Sequence, residues 1–230
     1  FGNVKILDNK NDIIINSNKI IYLKNEEKIF TTGKTKVNVK KKYFIDTKNL
    51  TFLRNNNLLL SKNKTLIKDT LDYVYLLDEF KYSINQELLK GKEIKIITNF
   101  EKTNSDTYFF KAGFFNLKSK NFLAKDIKVN FDSKMFGNSE NDPRLKGVSG
   151  HGDEFNTYLN KGTFTTCKNN DKCPPWIIES QNVKHDKIKK QIVYNNAWLK
   201  VYDVPVLYYP KFFHPDPTVK RQSGFLMPNL

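Results

Sequence analysis

Leu89-Lys-Gly-Lys-Glu-Ile94, followed at once by Lys95-Ile96-Ile97, is the stretch on which the fold turns. Two apolar residues five positions apart have opposite parity in a flat strand, so Leu89 and Ile94 would face opposite sides of a sheet. A small residue between them, here Gly91, lets the strand bend or bulge until both face one interior. The same form (apolar, any, small, any, polar, apolar) recurs at Ile15-Asn-Ser-Asn-Lys-Ile20, Ile45-Asp-Thr-Lys-Asn-Leu50, Phe122-Leu-Ala-Lys-Asp-Ile127 and Ile178-Glu-Ser-Gln-Asn-Val183. Short apolar runs follow the copies: Ile21-Tyr22-Leu23, Thr51-Phe52-Leu53, Lys128-Val129-Asn130 and, after the last, Gln191-Ile192-Val193-Tyr194. Successive copies start 30, 44, 33 and 56 residues apart, the mark of a degenerate repeat with inserted loops. One unit cannot bury its own apolar face, but stacked units share a continuous core.

Helix signals are almost missing. Thr70 to Leu89 could be forced into a helix, but Tyr73, Val74, Tyr75, Phe80, Tyr82 and Ile84 suit strands. Elsewhere short apolar runs alternate with Asn, Lys, Asp and Gly clusters, and Gly33, Gly91, Gly113, Gly147, Gly150, Gly152 and Gly162 read as turn markers. The expected fold is all-β: short antiparallel strands stacked and folded over into two facing sheets, a jellyroll or open spiral sandwich, with an ordinary β-sandwich as the alternative. By parity Ile13, Ile15, Ile20, Tyr22, Phe44, Phe52, Ile94, Ile96, Phe109, Phe114, Ile127, Val129, Phe164, Ile178, Ile192, Tyr194 and Trp198 face the interior. Lys10 to Ser17 reads as a first strand whose edge either takes a strand from another protein or is covered by upstream residues cut off from this chain.

The chain has 230 residues, enough for a substantial core, and a net charge of +15 from 39 Lys and Arg against 24 Asp and Glu. Such a charge favours anionic partners, although a chain rich in Lys, Asn and Ile together also fits a biased genome composition. No helix-turn-helix, zinc-finger or aromatic-plus-basic RNA motif accompanies the charge, so no nucleic-acid partner is expected. No apolar run approaches the roughly 18 residues of a membrane-spanning helix. The chain opens on Phe1-Gly2 and ends on an apolar run, and is expected to be a fragment or a processed chain.

No catalytic constellation emerges. Asp78-Glu79 and Asp153-Glu154 are adjacent carboxylates, whereas glycoside hydrolysis needs two carboxylates held apart across a cleft. Ser149, His151 and Asp153 alternate along one Gly-rich stretch, whereas a triad is assembled from distant segments. There is no phosphate loop, dinucleotide fingerprint or metalloprotease motif, and the chain is expected to be neither an enzyme nor the holder of a cofactor or metal. Cys167 and Cys173 are too few for a structural zinc site; a disulfide, local or to another part of a longer chain, is the better reading. Val204 to Leu230 combines aromatics with Pro205, Pro210, Pro215 and Pro217, and reads as an extended, kinked connector.

Thr165-Thr166-Cys167, Pro175-Trp176, Asn196-Ala197-Trp198-Leu199-Lys200-Val201, Val204-Pro205-Val206-Leu207-Tyr208 and Ser223-Gly224-Phe225-Leu226-Met227-Pro228-Asn229 together resemble the LptD family of lipopolysaccharide-assembly outer-membrane proteins. The resemblance runs over roughly residues 163–230, and the repeat over residues 10–160 is similar to the periplasmic OstA-type jellyroll found in LptD and in the soluble bridge protein LptA. It implies a periplasmic β-jellyroll over residues 1–203, then over 204–230 a linker and the start of an outer-membrane β-barrel whose remainder is absent. The implied task is transport of lipopolysaccharide, its acyl chains shielded by Ile20, Tyr22, Phe52, Ile94, Ile96, Phe109, Phe114, Ile127, Val129, Phe164 and Trp198. The implied partners are lipopolysaccharide, an LptA-type bridge at the N-terminal edge strand, an LptE-type lipoprotein plug and the outer membrane. Cys167 falls at the family's Thr-x-Cys position, which is disulfide-linked to the barrel; Cys173 is extra to that pattern, and a Cys167–Cys173 bridge is the alternative. Tyr208, Tyr209, Phe212, Phe213, Phe225 and Pro228 would form the barrel entry. A soluble LptA-like bridge and a polysaccharide- or anion-binding sandwich are the competing readings.

Overall fold

The computed structural model describes residues 3–98, 100, 105–131, 141–168, 175–216 and 219. Among them are seventeen β-strands and a single 3-10 turn at Lys24–Glu26. The strands are β1 (Val4–Asp8), β2 (Ile13–Leu23), β3 (Lys28–Val39), β4 (Tyr43–Lys48), β5 (Thr51–Leu53), β6 (Leu58–Ser61), β7 (Thr65–Asp69), β8 (Val74–Leu77), β9 (Glu79–Ser83), β10 (Leu88–Ile97), β11 (Thr107–Asn116), β12 (Phe122–Asn130), β13 (Arg144–Gly152), β14 (Asn156–Thr165), β15 (Trp176–Asp186), β16 (Gln191–Val201) and β17 (Val204–Pro215). The chain is all-β, with antiparallel pairing and a jellyroll arrangement, and Thr70 to Leu89 is strand where it is regular. It divides into two compact units: Phe1–Thr103 with Phe109–Lys120, and Asn104–Tyr108 with Asn121–Leu230.

In the second unit every strand from β12 to β16 shows the same sequence of faces: inward, outward, outward, inward. Ala124 points in, Lys125 and Asp126 out, Ile127 in; Ser180 points in, Gln181 and Asn182 out, Val183 in. The two outward residues in succession switch the parity, so apolar residues five apart share one interior. Pairing keeps its register across the switch but omits one pair: Lys125 faces Ser149 and Ile127 faces Gly147, Asn160 faces Asn182 and Gly162 faces Ser180, Asn195 faces Lys211 and Ala197 faces Tyr209. The omitted residues, Asp126, Val148, Lys161, Gln181, Asn196 and Pro210, lie side by side, so the sheet is creased along one line. Alternate strands make the crease with a left-handed backbone: φ is 50° at Asp126, 49° at Lys161 and 53° at Asn196.

The first unit uses the same device at Glu93 (φ 46°) in β10, at Asn49 (φ 50°) between β4 and β5, and at Gly33 (φ 82°) opposite a register shift at Ser17/Lys19. The bend therefore falls on the polar fifth residue of the repeat at Asn49, Glu93 and Asp126, and on the fourth, Asn18 and Gln181, in the other two copies, rather than on the small third one. The small residue has a different job. Ser17, Thr47, Gly91, Ala124 and Ser180 all point inward beside the crease, where the two leaves of the sheet converge and room is least. A Cβ on Gly91 would lie 2.4 Å from Leu77 Cδ2, and one on Gly162 2.4 Å from Val183 Cγ2. Hydroxyls there take up carbonyls beside the omitted pairs, which cannot be left bare inside a protein. Ser180 Oγ donates within reach of Asn182 O (2.8 Å) and Asn195 O (2.7 Å), and Ser61 Oγ donates to Lys48 O (2.8 Å).

Several expectations change in consequence. The glycines read as turn markers all lie in strands: Gly91, Gly150 and Gly162 are kept without a side chain by close packing, and Gly33 by its left-handed backbone. Copy and following run form one creased strand in β2, β10 and β12, only Ile45–Leu50 and Thr51–Leu53 being split into β4 and β5; Gln191–Tyr194 opens the next strand. Residues 204–215 are not a connector but strand β17, paired along its length with β16. Pro210 sits at the crease, where the ladder has no pair to lose, and Pro205 beside the register shift at Leu199/Lys200, so neither proline breaks the strand. Lys10–Ser17 is not an open edge, because β1 covers Ile13–Ser17; among the described residues the uncovered edge is that of β1 and of Lys19–Leu23.

A β-branched residue in the left-handed region is strained by about 1–2 kcal/mol. Asp126→Val is expected to lower stability by about that amount in chemical denaturation, whereas Lys125→Val, one residue earlier in ordinary strand geometry, changes it by less than about 0.5 kcal/mol.

Candidate functional site

The crease gives each unit two facing leaves whose inward side chains form rows across the strands. In the first unit Ile15, Val37, Ile45, Ile67, Tyr75 and Ile96 stand opposite one another in successive strands of one leaf. Tyr22, Ile29, Phe52, Leu59, Tyr82 and Leu89 do so on the other. The Tyr43 and Tyr82 rings meet edge to face between the leaves, 5.9 Å apart. In the second unit one row is Val129, Leu145, Phe164, Ile178, Leu199 and Leu207, and the facing one is Ala124, Gly150, Leu159, Val183, Tyr194 and Phe212. The Phe164 ring lies 6.5 Å from that of Tyr194 and 4.7 Å from that of His214. Lys90, Lys92, Lys111, Lys125 and Lys146 are on the outside.

Of the residues expected to line the interior, Phe52, Ile94, Ile96, Ile127, Val129 and Phe164 are buried in it. Ile20 and Tyr22 share the inward face of Thr31 and Ile29 but lie where β2 is uncovered; Ile20 is half-buried and Tyr22 is 42% exposed. Tyr22 there donates to Glu27 Oε1 (2.8 Å), accepts from Arg54 Nη1 (2.9 Å), and Arg54 Nε reaches the buried Asp8 Oδ2 at 3.2 Å. Burial pushes the Asp8 carboxyl up, but hydrogen bonds from Asn11 and Arg54 and the guanidinium charge outweigh it and hold the group below its usual range.

Phe109, Phe114 and Trp198 face the other way. Phe109 is half-buried under Lys95 Nζ, Phe114 is 42% exposed under Lys90 Nζ, and Trp198 is 43% exposed against the Tyr208 ring. Phe44, chosen by the same parity, is also outside. In β11 the doublets Phe109-Phe110 and Phe114-Phe115 present an apolar residue in either phase, and the crease between them puts Phe110 and Phe115 inside. In β16 the left-handed Asn196 turns Ala197 inward and Trp198 outward.

Cys167 is unbridged among the described residues, its Sγ 3.7 Å from Trp176 O; Cys173, the local partner expected for it, lies outside the described residues. The buried Arg144 clamps that loop by donating to the carbonyls of Asp142, Cys167 and Lys168. On β17 Tyr208 and Phe213 face outward, while Tyr209 and Phe212 face inward; Phe225 and Pro228 lie outside the described residues.

A polar cluster in the second unit had no sequence signal beyond its residue types. His185 Nε2 lies 2.5 Å from Asp216 Oδ2, both buried, with the Phe131 ring edge-on to the imidazole. Tyr194 and His214 Nε2 are 2.8 Å apart, and His214 Nδ1 is 2.6 Å from Pro215 O. A carbonyl only accepts, so Nδ1 carries the proton and Nε2 accepts the Tyr194 hydroxyl. Burial lowers the His214 pKa below its ordinary 6.5, Pro215 and Asp216 opposing in part.

A creased all-β jellyroll of two units, each with its own apolar interior and lysines outside, the second open at its last described strand, is the class of protein these features define. Over its matched residues the chain is LptD-like. It is 39% identical over 71 residues to the LPS-assembly protein LptD of Legionella pneumophila (strain Paris), covering 31% of this chain and 8% of that one. It is 40% identical over 77 residues to LptD of Shewanella denitrificans, covering 34% and 10%. With LptD of Shewanella frigidimarina it shares 32% identity over 127 residues, covering 48% and 16%. The chain thus spans about a tenth of the length of the curated relatives it matches. No protein-family model matches it.

Phe164 joins both leaves, so Phe164→Ala is expected to cost about 3–5 kcal/mol in denaturant unfolding. Phe114→Ala, outside, loses no more than the cation–π contact with Lys90, about 0.5–1 kcal/mol.

Proposed function

We propose that this chain is the periplasmic jellyroll portion of an LptD-type protein, holding lipopolysaccharide acyl chains along its apolar interior and delivering them toward an outer-membrane barrel. The observation that carries the reading is the inward row Val129–Leu145–Phe164–Ile178–Leu199–Leu207, which runs without a charged residue to a last strand where Leu207 remains 45% exposed. Tyr209 and Phe212 extend that uncovered inward face. A phosphorylated glycolipid matches this division, with apolar chains inside and lysines outside. Each buried methylene contributes about 0.8 kcal/mol, so several chains can be held with no bond made or broken.

The residues within the rows are packed to the point that almost no water reaches them, Phe52 at 0%, Leu145 at 1% and Phe164 and Ile178 at 3% exposure. Acyl chains would therefore seat first on the half-covered inward residues Leu199, Leu207, Tyr209 and Phe212, and reach the centre only as the leaves part. In this reading residues 204–230 lead into the barrel, with Tyr208, Tyr209, Phe212 and Phe213 at its entry. An LptA-type bridge adds its strand at the uncovered edge of β1 and Lys19–Leu23, an LptE-type lipoprotein plugs the barrel, and the Cys167 thiol is available for a disulfide to it.

Photo-crosslinkers placed in the full-length protein in cells at Leu207 and Tyr209 are expected to capture lipopolysaccharide, and those at Phe114 and Trp198 to remain unlabelled. Labelling confined to Phe114 and Trp198 would falsify the interior route. Capture of polysaccharide without acyl chains would replace it with a sugar-binding sandwich.

A further inference from the structure

Strand β17 is held on one side, by β16, among the described residues; three of its residues are prolines (Pro205, Pro210 and Pro215), and its ladder shifts register at Leu199/Lys200. Most of its side chains are exposed up to Phe213. Its far end is different. His214 and Asp216 turn into the second unit and meet His185 from β15 and Tyr194 from β16, both buried. Asp216 N also donates to Lys190 O at 2.9 Å. A strand paired on one side among the described residues is thus fastened at its end by polar groups, of which His185, Tyr194 and Asp216 are buried and His214 is half-buried.

We propose that His214, with His185, Tyr194 and Asp216, is a proton-operated latch that fastens β17 while His214 is neutral and releases it when His214 is protonated. This rests on the geometry of the cluster and stands whether or not the interior carries lipid.

Neutral His214 is fully satisfied, donating from Nδ1 to Pro215 O and accepting at Nε2 from Tyr194. A proton on Nε2 turns that acceptor into a second donor facing a hydroxyl, so the Tyr194 hydrogen must leave the bond inside an apolar site. The Phe164, Tyr194 and Phe212 rings surround the imidazole at 4.7, 5.4 and 6.1 Å. The charged and titratable groups that face His214 are Asp216 and His185. Asp216 already engages His185 Nε2 and is faced by Lys187, which is itself surrounded by Asp106, Asp153, Glu154 and Asp216. An imidazolium at His214 therefore adds positive charge to a site whose carboxylate is committed. Freeing the end of β17 returns that charge to water and uncovers the inward residues of β16. The sign follows from linkage: a group that binds its proton less readily when folded contributes full stability above its ordinary pKa of 6.5 and loses it progressively as pH falls below that value.

The test is hydrogen exchange on the intact chain at about pH 7.5 and about pH 5.5, either side of the ordinary imidazole range and corrected for intrinsic rates. Opening of β17 is expected to rise at the lower pH, by up to the about tenfold that one pH unit below the ordinary imidazole value allows, while β13 to β15 keep their protection. His214→Gln, which keeps an acceptor for Tyr194 but cannot titrate, and His214→Phe, which keeps a ring against Phe164, are both expected to remove that rise. Unchanged exchange of β17 in the natural chain overturns the latch. So does loosening shared equally by β13 to β16, or a rise that persists in whichever of the two variants folds.

Discussion

The fold of each unit depends on a bend that neighbouring long strands make along one line. A single strand that switched parity alone would break its ladder with both neighbours. When β12 to β17 all omit the pair at one line, each loses one rung and keeps its register. The left-handed residues at Asp126, Lys161 and Asn196 supply the backbone change, and the inward Gly, Ala, Ser and Thr beside them give the converging leaves their clearance. Hydroxyls such as that of Ser180 then satisfy the carbonyls the missing rung leaves behind. Interior, outer face and open edge all follow from that line.

The crease was legible in the sequence because its period is a departure from alternation. Leu89 and Ile94 announce by their spacing that the strand cannot be flat, and five copies make the departure systematic. Its mechanism was less legible. Attention falls naturally on Gly91, since glycine is the residue expected to bend a chain. The bend lies instead at Glu93, a residue type with no special liking for positive φ, held there by packing of the two leaves. The same override misled the reading of Pro205 and Pro210. Proline argues against a strand in general, but not at a position where the ladder has no rung.

The interior was legible wherever a copy of the repeat fixed the phase, as at Ile94, Ile127 and Val129. In β11, with no copy and two phenylalanine doublets, either phase buries an aromatic, and the sequence alone chose the wrong one at Phe109 and Phe114. The histidine cluster was invisible for another reason. His185, Tyr194, His214 and Asp216 come together because three successive hairpin-connected strands align their ends, a registration known only once the turn lengths and the crease are both in place.

The crease also changes what a length error does to such a chain. In a flat strand, one inserted residue inverts every side chain beyond it. Here each strand is two half-strands joined at a residue that already tolerates an irregular backbone, so slippage in one half can be absorbed at the line before it reaches the other. Asn196 and Gln181 sit on the outer ridge, hydrogen-bonded to each other at 2.8 Å and facing water, where an extra residue meets no packed neighbour. A jellyroll built this way can absorb a change of strand length at the crease without exchanging its inner face for its outer one.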